Sequence, residues 1–302
     1  MPIDRLSRRT VLAGSAVLAA PLPALAAATP MTAAALLSGK GLPADVAAAL
    51  AGATLLHGSA DTPVTGIMLA TVPSLAALRQ AVSTGCNLVL SAEAPLYSRP
   101  LPADVPPFAK AGADRLFADP TYKAKAAFIA EHKLTIYRLP TRTSDEPVPA
   151  AYTPLFTTNL ARAMGLTPVA GQPWFFTTPP VTLGTLVQRA QTSVGAHGGL
   201  RVIGDLAMPV RKVCVVPGTA EVVATLTHLR QADVLVAGDL REWEIVPYIA
   251  DSRAAGHPKG LVAVGRILSE QPGTRALAAA LRAAHPKLPV SLAEHTDSFW
   301  RT

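Results

Sequence analysis

Five charged side chains occupy equivalent places in this 302-residue chain, each just after a short apolar run. Glu93 follows Asn87–Ser91, Arg138 follows Leu134–Tyr137, Asp239 follows Val234–Ala237, and Arg266 and Glu270 follow Gly260–Val264. Arg241 and Glu242 stand close behind Asp239. The carboxylates of Glu93 and Glu270 have the chemistry of a general base or of a metal donor. Arg138, Arg241 and Arg266 carry permanent positive charge that can neutralise an anion or charge developing in a reaction. Apolar runs of this length are the strands of an α/β sheet, and such sheets take their ligands at the edge where the strand ends emerge. If the strands are adjacent and parallel, the five side chains converge in one cleft.

Many familiar chemistries lack their signature. The seven histidines, at 57, 132, 197, 228, 257, 285 and 295, are never closer than ten residues, so local metal pairs such as H-x-H or H-E-x-x-H are absent. There is no G-x-S-x-G elbow, Walker loop, G-x-G-x-x-G helix start or C-x-x-C.

The elements that must position the candidate residues alternate strand and helix. Residues 27–60 are rich in alanine and leucine and predict one or two helices. Val64–Ala70 predicts a strand, Ser74 caps a helix through Val82, and Asn87–Leu90 is the next strand. Four prolines make Ser98–Pro107 a loop. Asp119-Pro120 opens a helix to about His132, Leu134–Tyr137 is a strand, and Pro140–Pro149 is a loop without periodicity. A helix from Tyr152 to Met164 follows. Thr182 then caps a helix to Val194, Leu200–Ile203 and Lys212–Val216 are strands, and Pro217-Gly218-Thr219 turns into a helix ending near Arg230. The two strands at Val234 and Gly260, helices over 242–255 and 269–284, and a strand at Pro289–Leu292 close the chain. The pattern is that of an α/β protein.

The N-terminus reads as an address. Ser7-Arg8-Arg9-Thr10-Val11-Leu12 precedes an apolar run closing in Ala24-Leu25-Ala26, the layout of a twin-arginine signal peptide over residues 1–26. The alternative, a membrane anchor, needs about 20 apolar residues, and Val11–Ala26 supplies 16. Export by the twin-arginine translocase would deliver an already folded protein to the periplasm or the outside. No later apolar run is long enough to span a bilayer.

Cleavage there removes three of 27 basic and one of 20 acidic residues, leaving a net charge of +5. The basic residues are scattered and aromatics make up 5%, which argues against nucleic acid as a partner. Cys86 and Cys214 each adjoin or lie within an apolar run. They are either a disulfide permitted by an oxidising compartment or two small buried apolar side chains.

Several motifs in order carry a resemblance. Gly238-Asp-Leu-Arg-Glu-Trp-Glu244, Tyr248 with Asp251, Gly265-Arg-Ile-Leu-Ser-Glu270 and Asp297-Ser-Phe-Trp300 resemble the Nif-three-like family of dinuclear-metal hexameric proteins, which includes GTP cyclohydrolase I type 2 homologues. So do Val64-Thr-Gly-Ile67, Gly85–Glu93 with Tyr97-Ser98, Lys125 with Phe128-Ile129, and Leu200–Asp205. The resemblance implies two intertwined α/β lobes with mixed sheets, here residues 27–150 and 151–302. It also implies a homohexamer and two metal ions per subunit, zinc, iron or manganese, held by histidines and carboxylates. This chain departs from the pattern at the histidines, with Ala92-Glu93, Pro140–Thr143 and Gly265-Arg266 where they are expected. Glu93 and Glu270 remain as metal ligands if a metal binds, with Asp145 a third.

An arginine cannot ligate, so no bound metal is expected. Arg266 stands four residues before Glu270, a spacing at which helical side chains meet, and is expected to place fixed positive charge between Glu270 and Glu93. Two functions follow. One is a small-molecule-binding or scaffolding ring protein with a degenerate metal site. The other is a hydrolase of small phosphorylated or purine-like compounds, with Glu93 or Glu270 as base and Arg138, Asp239, Arg241 and Arg266 binding substrate. Trp243 and Trp300 are read as core or subunit-interface anchors.

Overall fold

A computed structural model of the chain describes residues 30–97, 107–140, 153–195 and 199–293. The proposed signal, the 141–150 loop with Asp145, and Trp300 lie outside these. The described residues from Met31 onward form one compact unit.

Two mixed sheets make the frame. In the first, β2 (Ile67–Ala70), β3 (Leu88–Ser91) and β4 (Thr135–Arg138) run parallel, and β1 (Thr54–His57) adds antiparallel to β4. In the second, β5 (Thr167–Val169), β6 (Gln172–Thr182), β7 (Arg201–Ile203), β8 (Pro209–Ala220), β9 (Val234–Leu240) and β10 (Gly260–Ala263) pair in the order β5-β6-β8-β9-β10-β7. Here β8, β9 and β10 are parallel and the others antiparallel. The last strand, β11 (Val290–Leu292), returns to the first sheet and pairs parallel with β2, so the C-terminal part of the chain completes the N-terminal lobe. That return intertwines the lobes.

β2, β3 and β10 are buried along their whole length, which explains their unbroken apolar runs. One apolar core spans both sheets, joining Ile67, Leu69, Leu88 and Leu90 to Val216, Leu235, Ala237 and Leu261. The 19-residue helix Arg266–Ala284 crosses it, burying Leu277, Ala278 and Leu281, and packs on β8, β9, β11 and β2.

Two expectations are corrected, and one strand was not foreseen. Gln172–Thr182 is a long strand that its three prolines disguise. Its pairing with β8 shifts register between Thr177 and Val181, so Pro179 and Pro180 fall where no ladder donor is needed. Pro217-Gly218-Thr219 does not turn into a helix; β8 bulges between Val216 and Thr219 and continues to Ala220, and the helix starts at Val222. The last long helix begins at Arg266, three residues before the expected Ser269. Cys86 and Cys214 are not joined in a disulfide; both are buried, in different lobes.

Because Leu277 is fully buried in the core shared by both sheets, Leu277→Ala should cost about 2–5 kcal/mol. Urea denaturation should show this as one lowered transition for both lobes; two separated transitions would contradict a shared core.

Candidate functional site

The strand ends of the two sheets meet at one side chain. Arg266 is the first residue of its helix, and its guanidinium uses all three nitrogens. Nη2 lies 2.6 Å from Glu93 Oε1, Nε lies 3.1 Å from Glu270 Oε2, and Nη1 donates to Thr219 Oγ1 at 2.8 Å. Glu93 comes from the end of β3, Thr219 from the bulged end of β8, and Glu270 from the next turn of the helix. The Arg266 side chain is 12% exposed, Glu93 27% and Glu270 0%.

Local structure fixes this geometry. Gly265, the residue before the helix, has φ +91°, a conformation that a side chain makes costly, and it aims the helix start at β3. Ser269 Oγ accepts from the Gly218 amide at 3.1 Å and donates to the Arg266 carbonyl at 2.8 Å, tying the first turn to the β8 bulge. This clamp leaves no room beside it: a Cβ on Gly238 would run into the Gly218 backbone and come within 2.6 Å of Ser269 Oγ. On the other side, the Glu93 amide donates to the Thr71 carbonyl at 3.1 Å and its carbonyl accepts from Ser91 Oγ at 2.9 Å, holding Glu93 at the sheet edge.

An arginine at a helix N-terminus opposes the macrodipole, by about 0.3–1 kcal/mol. Here the surrounding acids offset that. Asp239 accepts the Arg266 backbone amide. Asp239 is exposed as a residue, but its carboxyl lies against protein: burial is the main cause raising its pKa, and the Glu93 charge adds to it, while Arg266 and Arg201 pull the other way.

The five strand-end charges therefore do not share one sheet edge, because Glu93 and Arg138 belong to the first sheet and Asp239, Arg266 and Glu270 to the second. The structure gathers Glu93, Asp239, Arg266 and Glu270 by facing the two edges. Arg138 pairs with Ser91 in the ladder, and its Nη1 is buried without a hydrogen-bond partner among the described residues. Arg241 precedes the helix Glu242–Ala254 and makes a surface ion pair with Glu244 at 3.4 Å, while Glu242 pairs with Arg201 at 2.6 Å. Trp243 is 74% exposed, so it is not a core residue.

Sequence reasoning missed two residues. Thr219 was hidden by the expected turn. Lys125, 2% exposed, lines a cleft of about 430 Å³ with Glu93. Its signal was a lysine four residues before the buried Ile129 on one helix.

As a metal centre the donor set does not fit. A transition metal wants three or four donors with nitrogen among them. The described residues hold no group of three histidine, cysteine or acidic side chains suited to an ion. Glu93 and Glu270 instead share a guanidinium, which cannot ligate.

Comparison with known proteins agrees with the architecture. Residues 150–298 match the model of the family Duf34/NIF3 (NGG1p interacting factor 3). The fold is similar to that of the Staphylococcus aureus hypothetical protein SA1388, at 16% identity and TM-score 0.64, covering 91% of this chain and 100% of that one. It is also similar to a Bacillus cereus protein related to NIF3 (15% identity, TM-score 0.59, 89% and 98% covered) and to reduced HcgD from Methanocaldococcus jannaschii (14%, 0.56, 88% and 98%). No curated protein matches the sequence.

Removing the guanidinium would leave Glu270 buried without its counter-ion, so Arg266→Met should destabilise by about 3–5 kcal/mol. Glu270→Met added to it should restore most of that loss, since an apolar pair needs no compensation. Equal stability of wild type and Arg266→Met in chemical denaturation would show that the bridge carries no weight.

Proposed function

We propose that this chain is an exported NIF3-like protein in which an arginine-centred cluster stands where the family expectation puts a dinuclear metal site, and that it binds a small molecule within a homo-oligomeric ring. The observation that supports this is the Arg266 guanidinium lying between Glu93 and Glu270 at 2.6 and 3.1 Å. Charge that metal ions would supply comes instead from a side chain that needs no loading. The cleft beside Glu93 offers room for a ligand.

The hydrolase reading, on small phosphorylated or purine-like compounds as in GTP cyclohydrolase I type 2 homologues, has less support. Glu270 is fully buried and ion-paired, so it presents no basic oxygen to a substrate. Glu93 is the better base, being partly exposed on the cleft. Arg241 is engaged on the surface.

A hexameric ring is the family expectation for assembly. Trp243 supports some such contact, since an aromatic side chain this exposed suits a subunit interface. Among the described residues no helix is long and apolar enough to cross a membrane. The paired Arg8 and Arg9 support delivery through the twin-arginine translocase to the periplasm or beyond.

Two measurements test these readings. Native mass spectrometry of protein produced in metal-rich medium should give a ring mass without bound transition metal; two zinc, iron or manganese ions per chain would refute the metal-free site. Replacing Arg8 and Arg9 together by lysine should hold the protein in the cytoplasm with its signal uncleaved, and unchanged export would rule out this route.

A further inference from the structure

Among the described residues, Lys125 is a buried cation without a counter-ion. It lies on the helix Pro120–Glu131, one turn before Ile129, which belongs to the apolar cluster of the first lobe. Among the described residues it has no ion pair or hydrogen bond; its ammonium rests over the Tyr97 ring, 4.6 Å from the centroid. Tyr97 holds that ring in place from a left-handed backbone, φ 63°, which is uncommon for a bulky residue and concentrates at functional sites. Burial pushes the Lys125 amine down to about 8. A chain that needed only packing here would place methionine or leucine.

The same cleft is also lined by Ser74 and Leu75, at the start of the nine-residue helix Leu75–Ser83. Ser74 Oγ caps the Ala77 amide at 3.1 Å. The amides ahead of it have no intrahelical acceptor and give the helix end partial positive charge. Val72, Leu75, Ala94 and Pro95 make the remaining wall mostly apolar. Glu93 also lines the cleft, but Arg266 neutralises it from behind. A helix N-terminus and an unpaired buried ammonium thus converge on a space larger than an inorganic anion and walled to hold an organic body.

We propose that this cleft binds a small organic acid, its carboxylate or phosphate seated between Lys125 and the N-terminus of helix Leu75–Ser83 and its apolar part against Val72, Leu75 and Pro95. The proposal names the ligand class for the small-molecule-binding reading above and rests on it. Lys125 supplies the counter-charge, and the ligand relieves the cost of burying it. The bound anion favours the protonated amine, so affinity is full below the free lysine's pKa and falls as pH rises through it.

The test is calorimetric titration of the full chain with benzoate, phenyl phosphate and, as the uncharged isostere, benzamide. At pH 7 at least one anion should bind ten times or more tighter than benzamide; which one does so separates carboxylate from phosphate. Benzoate or phenyl phosphate affinity should fall about tenfold from pH 7 to pH 9, the loss expected for a group with pKa near 8. Lys125→Met should abolish the preference for the anion while keeping the melting temperature unchanged or higher, because it removes a buried charge at similar volume. Equal binding of benzamide, affinity independent of pH, an unaffected Lys125→Met, or no binding of any probe would overturn the proposal. The comparisons on wild type decide it even if the variant misfolds. Protein that is free of metal yet ignores these probes would lose this inference and keep the metal-free reading.

Discussion

One guanidinium holds the meeting point of two sheets. Arg266 reaches Glu93 from the first lobe and Thr219 and Glu270 from the second, so the facing edges are joined by a planar group with fixed donor directions. At the effective dielectric of a protein a pair of unit charges 4 Å apart gains about 4 kcal/mol. Desolvation costs several kcal/mol for each ion. The two nearly cancel, so the cluster's main effect is geometric. It sets where two strand ends sit, and it makes loss of any one member far more costly than the net worth of the whole.

That constraint explains details otherwise unrelated. Gly265 must adopt a left-handed backbone to start the helix at Arg266 rather than one turn later. Gly238 must lack a side chain for Ser269 to reach the β8 bulge, and the bulge itself is what turns Thr219 toward the guanidinium. Glycines and serine here serve a charged side chain they do not touch.

The cluster also divides the surroundings by charge. Behind Glu93 lies the compensated, nearly dry arginine; in front lies the cleft with a lysine that has no acid partner among the described residues. An acid engaged on one side by arginine is a weak repellent to an anion on the other, which is why the same carboxylate can wall both spaces. Glu270 is fully buried and does not line the cleft.

Much of this was legible in the order of residues. Unbroken apolar runs such as Leu88–Ser91 and Gly260–Ala263 disclose buried parallel strands because both faces must be apolar, and the i,i+4 spacing of Arg266 and Glu270 discloses their contact because helical geometry is local. The motifs also carried the family resemblance. Three things were hidden. The prolines of Gln172–Thr182 argue against a strand until a register shift is seen. The Pro217–Thr219 bulge reads as a turn because turn and bulge use the same residues. The pairing of Glu93 with Arg266 crosses 173 positions and two sheets. Sequence alone thus determined the strands and the local contact of Arg266 with Glu270, since these depend on residue type and short-range period. Only tertiary structure decided that the two strand edges face each other and that, among the described residues, Lys125 is buried without an acid, because both depend on the distance between segments far apart in the chain.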